Sequence, residues 1–356
     1  MVCLQVLFGI KLSDAVPAHA LSHPTTCIPL ALVELPAYLF PSFNMKYKHL
    51  FGPVPSRRLG LSLGIDPIPY KTCTFDCVYC ECGATTKLTD TRKEYIPVAD
   101  IISELDSFLS THPTLDYIIF SGSGEPTMNS GIGKIISFVK IKYPQYKIAV
   151  LTNSSLFSHA EVRKELLLAD VIMPSLDAVT ENIFRKINRP AAAIKITDIL
   201  QGLIEFRKEF PGKIWLEIFI IPGINDTDEE IEKFYTVLTK IKPDLIQLNS
   251  LDRPGTENWV IPAYEKTLEK FQNKFENLPV VTISNYQKRE KVGSYNLKIE
   301  DAILSTISRR PCTAEDLSKI LDIHIAELNK YLDTLHENER IEAVKKPRGI
   351  FFKSKV

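Results

Sequence analysis

The sequence predicts an α/β protein built on parallel strands, with a smaller helical unit at its C-terminal end. Three observations lead there. Between residues 51 and about 290, short β-branched runs alternate with amphipathic stretches in the order βαβα. The strand runs are almost continuously apolar, as strands buried on both faces must be. The chain has 356 residues, 45% of them hydrophobic, enough to bury such a core with a second unit beside it. A disulfide-stapled miniprotein and a disordered chain are both excluded.

Residues 1–44 carry three charged side chains, Lys11, Asp14 and Glu34, and five prolines, unlike the Lys- and Glu-rich remainder. They are expected to be a leader outside the fold, disordered or the product of an upstream start codon. The apolar start lacks the basic n-region of a signal peptide. The run 28–40 is broken by Glu34 and Pro36 and is too short to span a bilayer. A cytoplasmic protein without membrane contact is therefore expected. Candidate strands lie at 116–121, 147–152, 170–175, 214–221 and 244–249, with helices near 97–111, 130–142, 159–168, 193–209 and 227–241. Right-handed crossovers between parallel strands then give a barrel, an open barrel or a doubly wound sheet, all of which bind ligands at the carboxyl ends of the strands. This main domain should span 45–292. From 293 to 356 the pattern becomes helices at 298–309, 314–321 and 325–338 followed by a hairpin, which resembles a winged helix-turn-helix module.

Lys plus Arg equals Asp plus Glu at 43 each, so no global field recruits nucleic acid or membrane. Three of the seven cysteines, Cys73, Cys77 and Cys80, fall within eight residues, too crowded for ordinary disulfides. Their CxxxCxxC spacing can ligate three irons of a cubane cluster and leave the fourth open, whereas a closed zinc site needs four ligands. The zinc alternative would take Cys82 or a histidine as the fourth. Cys82 follows Cys80 too closely to suit it and reads as a neighbour of the cluster.

That spacing, with the aromatic Tyr79 before the third cysteine, resembles the radical S-adenosylmethionine (radical SAM) superfamily. Further matches follow successive strands. Ser121-Gly-Ser-Gly124-Glu125-Pro126 is similar to the GGEP motif, where backbone and carboxylate meet the cofactor's amino group. Leu151-Thr-Asn153-Ser154 resembles the TNG turn with Ser in place of the glycine. Pro174-Ser175-Leu176-Asp177-Ala178 is similar to the SLDA segment that binds the ribose hydroxyls, and strand periodicity points Ser175 and Asp177 the same way. Glu217 to Asp226 resembles a loosely defined apolar surface for adenine, and Thr227 to Glu230 reads as a capping box. Upstream, Phe51-Gly-Pro-Val-Pro-Ser56-Arg57-Arg58 is similar to a lead-in of the branch related to wyosine-forming tRNA enzymes. Arg57 and Arg58 are read evenly as carboxylate or phosphate grips or as structural ion-pair formers. Only Cys3 and Cys27 precede the triplet, so the second cluster of wyosine formation is not expected.

The resemblance implies a partial (β/α)6 barrel holding a [4Fe–4S] cluster on Cys73, Cys77 and Cys80, with S-adenosylmethionine bound by Tyr79, Gly124, Glu125, Asn153, Ser175 and Asp177. It implies an external one-electron reductant of the flavodoxin or ferredoxin type, and a 5′-deoxyadenosyl radical that takes hydrogen from a substrate: a tRNA, a peptide or a small molecule. Other chemistries lack residues: between 51 and 290 only His112 and His159 occur, and there is no GxxxxGK[ST] loop. The competing class is an iron–sulfur redox sensor that uses the C-terminal module to bind DNA. Charge placement disfavours duplex reading. The presumed recognition helix, 325–338, sets Glu327, Asp333 and Glu337 against Lys330 alone, while 340–356 carries Arg340, Lys345, Lys346, Arg348, Lys353 and Lys355 against Glu342.

Overall fold

The computed structural model describes residues 47–56, 58–251, 255–283, 297–309, 311–321, 323–346 and 349–355. Met45–Val356 forms one compact unit. It opens with an antiparallel hairpin of β1 (Leu50–Ser56) and β2 (Gly60–Ile65). A loop bearing the short pair β3 (Thr72–Cys73) and β4 (Lys87–Leu88) then leads to α1 (Val98–Leu109). There follow β5 (Tyr117–Phe120), α2 (Ile132–Lys142), β6 (Lys147–Thr152), α3 (Ala160–Glu165), β7 (Val171–Pro174), α4 (Glu181–Ile187) and α5 (Ile196–Glu209). The series closes with β8 (Lys213–Ile220), α6 (Asp228–Ile241), β9 (Leu245–Ser250), α7 (Glu265–Lys274) and β10 (Val280–Thr282). Among the described residues the sheet order is β1-β2-β5-β6-β7-β8-β9-β10, parallel from β2 onward and open at its two edges.

Strand alternation decides how the sheet is wound. Ile118 and Phe120 of β5, Ile148 and Val150 of β6, and Leu216 and Ile218 of β8 pack with Ile101, Ile135, Val162, Phe184, Phe206, Phe234 and Phe271, one from each crossover helix. The intervening Ile119, Ala149, Leu151, Val171, Met173 and Trp215 form a separate cluster with Leu59 from the β1–β2 turn. Every helix therefore lies on one face. A doubly wound sheet would place helices on both, so the winding is that of an open barrel.

The last segment comprises α8 (Leu297–Arg309), β11 (Cys312–Thr313), α9 (Ala314–Leu321), α10 (Ile325–Glu337), β12 (Ile341–Lys346) and β13 (Gly349–Ser354). Its antiparallel sheet has the order β11-β13-β12, and Ile303, Leu317, Leu328, Leu332, Leu335, Ile341 and Phe352 make its own core. The start of α10 docks on the first hairpin. Phe51 stacks on His324 with centroids 4.7 Å apart, Gly52 N donates to Glu327 Oε2 at 3.1 Å, and His324 Nε2 lies 3.2 Å from Asp66 Oδ2. His324 Nδ1 accepts from Ala326 N, so Nε2 is the nitrogen free to face Asp66.

Helices α4 and α7 were not foreseen, and the strands not foreseen have weak patterns for physical reasons. Pro53 and Pro55 interrupt the alternation of β1, Gly60 and Gly64 thin that of β2, β11 has two residues, and β10 has three. Thr227 does cap α6, accepting from Glu230 N at 3.2 Å, but the capping box is not completed. The Glu230 carboxylate instead accepts from Val179 N and Thr180 N at the start of α4, at 2.8 and 3.2 Å.

Candidate functional site

The three clustered cysteines lie on the connection after β2, at the carboxyl edge of the sheet. Their loop runs against the segment following α4: Val78 N donates to Ile187 O at 2.9 Å, Asp76 N to Asn188 O at 3.0 Å, and Ala191 N to Thr74 O at 2.9 Å. Each sulfur meets one side-chain N–H. Asn153 Nδ2 reaches Cys73 Sγ at 3.6 Å, Asn188 Nδ2 reaches Cys77 Sγ at 3.5 Å, and Lys71 Nζ reaches Cys80 Sγ at 3.1 Å. Burial pushes the Cys73 thiol up to about 12, with Glu125 adding to it, and pushes Cys77 well above the usual thiol range. Cys80 is drawn down to about 6 by a hydrogen bond from Cys82 and, against burial, by Lys71. Burial opposes the charge of Lys71, but Cys80, Cys82 and Cys73 outweigh it and hold the ammonium protonated. Among the described residues no three His, Cys, Asp or Glu side chains gather closely enough for a single metal ion.

Gly124 brings the Ser121–Pro126 stretch against the cysteines, because a Cβ there would stand 2.0 Å from the Thr72 carbonyl oxygen. Glu125 is buried and already well occupied. Its Oε1 accepts from Thr127 N, Thr127 Oγ1 and Thr152 Oγ1 at 3.1, 2.6 and 2.7 Å, and Oε2 accepts from Asn153 N at 2.7 Å. Burial raises its pKa, and these bonds hold part of that rise back. The carboxylate expected to face a cofactor's ammonium thus ties the β5 loop to the end of β6, with Oε2 the less occupied oxygen.

Asp177 is occupied as well. Ser175 extends β7 by a bridge to Glu217, and Asp177 lies two residues further on. Asp177 Oδ2 accepts from Tyr79 OH and Asn188 Nδ2, at 2.5 and 2.8 Å, and Oδ1 from Phe219 N at 2.9 Å. Burial raises its pKa to about 6 against those three bonds. Tyr79 stacks on Phe219 with centroids 3.9 Å apart. Asn225, fully buried, donates to both Asp177 O and Phe219 O at 2.8 Å. Tyr79, Asp177, Asn188 and Phe219 therefore form one polar and aromatic brace under the cysteine loop. Ser175 sits at its margin, half-buried, its N donating to Thr152 O at 2.9 Å.

Ser154 occupies the left-handed region at φ +63°, where glycine carries no Cβ penalty, and its buried hydroxyl has no partner among the described residues. Arg58 reaches from the first hairpin to Glu217 on β8 and to Gln247 on β9, the latter at 3.3 Å. It thereby crosses the face opposite the helices as an ion-pair former. Arg57 lies outside the described residues. Asn188 and Lys71 were missed by sequence reading: neither belongs to a spaced motif, and Asn188 is 111 positions from the cysteine it meets.

Residues 68–235 match the model of the radical SAM superfamily. A UPF0026 protein of Methanocaldococcus jannaschii is 33% identical over 279 residues, covering 76% of this chain and 85% of that protein. A protein of Brachyspira hyodysenteriae named GTPase Obg is 35% identical over 299 residues, which are 84% of this chain but 44% of that relative, so the chain spans less than half of its length. A solved radical SAM methyltransferase from Sphaerobacter thermophilus shares the fold with a TM-score of 0.50 at 15% identity, covering 64% of this chain and 67% of that one. The match over these residues and the shared fold support the radical SAM superfamily and S-adenosylmethionine-dependent radical chemistry in general. Within that class the chain belongs to the UPF0026 family. Among the described residues no helix is long and apolar enough to cross a membrane.

Proposed function

We propose that Cys73, Cys77 and Cys80 hold a [4Fe–4S] cluster whose open iron takes S-adenosylmethionine, and that the protein abstracts hydrogen from an organic substrate. The observation carrying this reading is the set of three sulfurs on one loop, each met by a single side-chain N–H, from Asn153, Asn188 and Lys71. Thiolates that accept hydrogen bonds while binding three different irons suit a cubane. When bound, the two groups supply a one-electron route to a 5′-deoxyadenosyl radical.

The chain's own residues supply position. Gly124 lets the Glu125 loop approach the cysteines, and Asn153 joins Glu125 Oε2 to Cys73 Sγ; with Tyr79 and Ser175 these are assigned as cofactor contacts. Asp177 is assigned to the ribose of the cofactor, and its bonds to Tyr79 and Asn188 brace the cysteine loop beside it. The reductant would be a flavodoxin- or ferredoxin-type carrier, and the substrate a tRNA, a peptide or a small molecule. The segment 293–356 is read as a winged-helix module on a partial (β/α)6 barrel spanning 45–292, and the likeness of the lead-in at 51–60 supports kinship with the branch related to wyosine-forming tRNA enzymes. The sensor reading is not favoured, because His324 and Glu327 at the start of α10 are engaged by Asp66 and Gly52 where a DNA reader would present them to bases.

The test is anaerobic reconstitution followed by dithionite and S-adenosylmethionine. Visible absorption, about four irons per chain by the ligand count, and slow release of 5′-deoxyadenosine are expected. All three should be lost in Cys73→Ala, Cys77→Ala or Cys80→Ala and kept in Cys82→Ala. Stoichiometric zinc with no visible absorption would overturn the reading.

A further inference from the structure

The donors to the three sulfurs are not equivalent. Two are neutral amides, Asn153 and Asn188; the third is the ammonium of Lys71. Lys71 is 3% exposed, its ammonium reaches the Cys80 thiol at 3.1 Å, and among the described residues it meets no carboxylate. An ammonium buried without a counter-charge is costly, so its anion must come from the site itself. The backbone is held to this arrangement. Lys71 stands at φ +52°, and its carbonyl accepts from Thr86 N and Lys87 N, at 3.1 and 3.0 Å, where β4 begins. A β-lying pair thus clamps a strained residue whose side chain turns onto Cys80.

We propose that Lys71 is a positioning residue that sets the reduction potential of the cluster held by Cys73, Cys77 and Cys80. This rests on the cluster assignment made above. With three thiolates, a [4Fe–4S]2+ core carries one net negative charge, and two after one electron enters from an external reductant. A fixed positive charge 3.1 Å from one ligating sulfur favours the more negative state and eases reduction. Asn153 and Asn188 donate hydrogen bonds without that charge, so their effect on the potential is the smaller.

The experiment is a redox titration of the anaerobically reconstituted full chain, read by visible bleaching and by the paramagnetic signal of the reduced cluster, with no substrate present. Lys71→Met and Lys71→Gln remove the charge, the second keeping an N–H donor; Lys71→Arg keeps the charge. At a fixed potential, the reduced-to-oxidised ratio should fall about tenfold or more in Met and Gln, a downward shift of about 59 mV for a one-electron couple, with Arg close to wild type. A Gln or Met variant with the wild-type midpoint overturns the proposal. If Met and Gln cannot retain iron while Arg does, charge compensation is again supported; loss of iron from all three overturns it in favour of a shape requirement. A wild-type chain that binds no cluster would instead refute the cluster assignment, so the two failures are distinguishable.

Discussion

Removing the Glu125 carboxylate separates a structural tie from a cofactor contact. Four donors converge on it: the amide and hydroxyl of Thr127, the hydroxyl of Thr152 and the amide of Asn153. In Glu125→Gln the amide group keeps one acceptor oxygen but turns a donor toward Asn153 N, losing one charge-assisted bond, about 1.5–3 kcal/mol. Glu125→Ala strands all four donors in a buried site. The bonds are not additive, and about 3–5 kcal/mol is the range for breaking a buried charged network. At about 2 °C per kcal/mol, suited to a chain of this size, the melting temperature should drop by roughly 3–6 °C in Gln and 6–10 °C in Ala. Calorimetry on the cluster-free protein measures this without any cofactor. An Ala variant melting within a degree of wild type would refute the tie. A Gln variant that is stable yet fails to bind S-adenosylmethionine would assign Oε2 to the cofactor.

Asp177, raised to about 6 from an ordinary 3.8, binds its proton more tightly in the folded state. Its contribution is therefore fully present below about pH 4 and lost as pH rises through 6, about 3 kcal/mol in all. Urea melts across that window should show a slope that Asp177→Asn flattens, and equal slopes would count against it. Ser154→Gly removes a left-handed Cβ and an unpartnered buried hydroxyl, and should raise stability by about 1 kcal/mol after glycine's backbone entropy is subtracted; a lower urea midpoint would show that the hydroxyl has a partner in solution. Asn188→Ala should lower iron retention while leaving the fold's circular dichroism unchanged, since the residue meets both Cys77 and Asp177.

The central strands were legible because parallel strands covered on both faces write unbroken apolar runs, and Lys147–Thr152 coincides with the range expected. That Cys73, Cys77 and Cys80 share one loop was legible from their spacing in the sequence. What surrounds them was not. The Cys77–Asn188 and Glu125–Asn153 contacts join distant loops that meet only once the sheet is wound, and no periodicity encodes them. Asp177, expected from its motif to meet ribose, also has partners that no motif encodes: Tyr79, Asn188 and the Phe219 amide, 98, 11 and 42 positions away.

The C-terminal module bears on the same site through its docking. Its basic residues are partly consumed inside the fold: Arg340 pairs with Glu300, Lys353 with Glu342 at 2.5 Å, and Lys345 Nζ donates to Thr256 O at 2.8 Å; Arg348 and the Lys346 side chain lie outside the described residues. A cleft of about 390 Å³ remains between module and cysteine loop, lined by Tyr70, Cys80, Cys82, Asn329, Lys345 and Phe352 among others. His324 meets Asp66, whose Oδ2 also accepts from Ser123 N at 3.1 Å, so the docking surface and the Gly124–Glu125 loop share one carboxylate. Detaching the module by His324→Ala with Glu327→Ala should therefore loosen that loop, and hydrogen exchange at residues 121–125 should rise along with exchange at 50–53. If only 50–53 responds, Asp66 holds Ser123 by itself, and the module is joined to the sheet without reaching the loop.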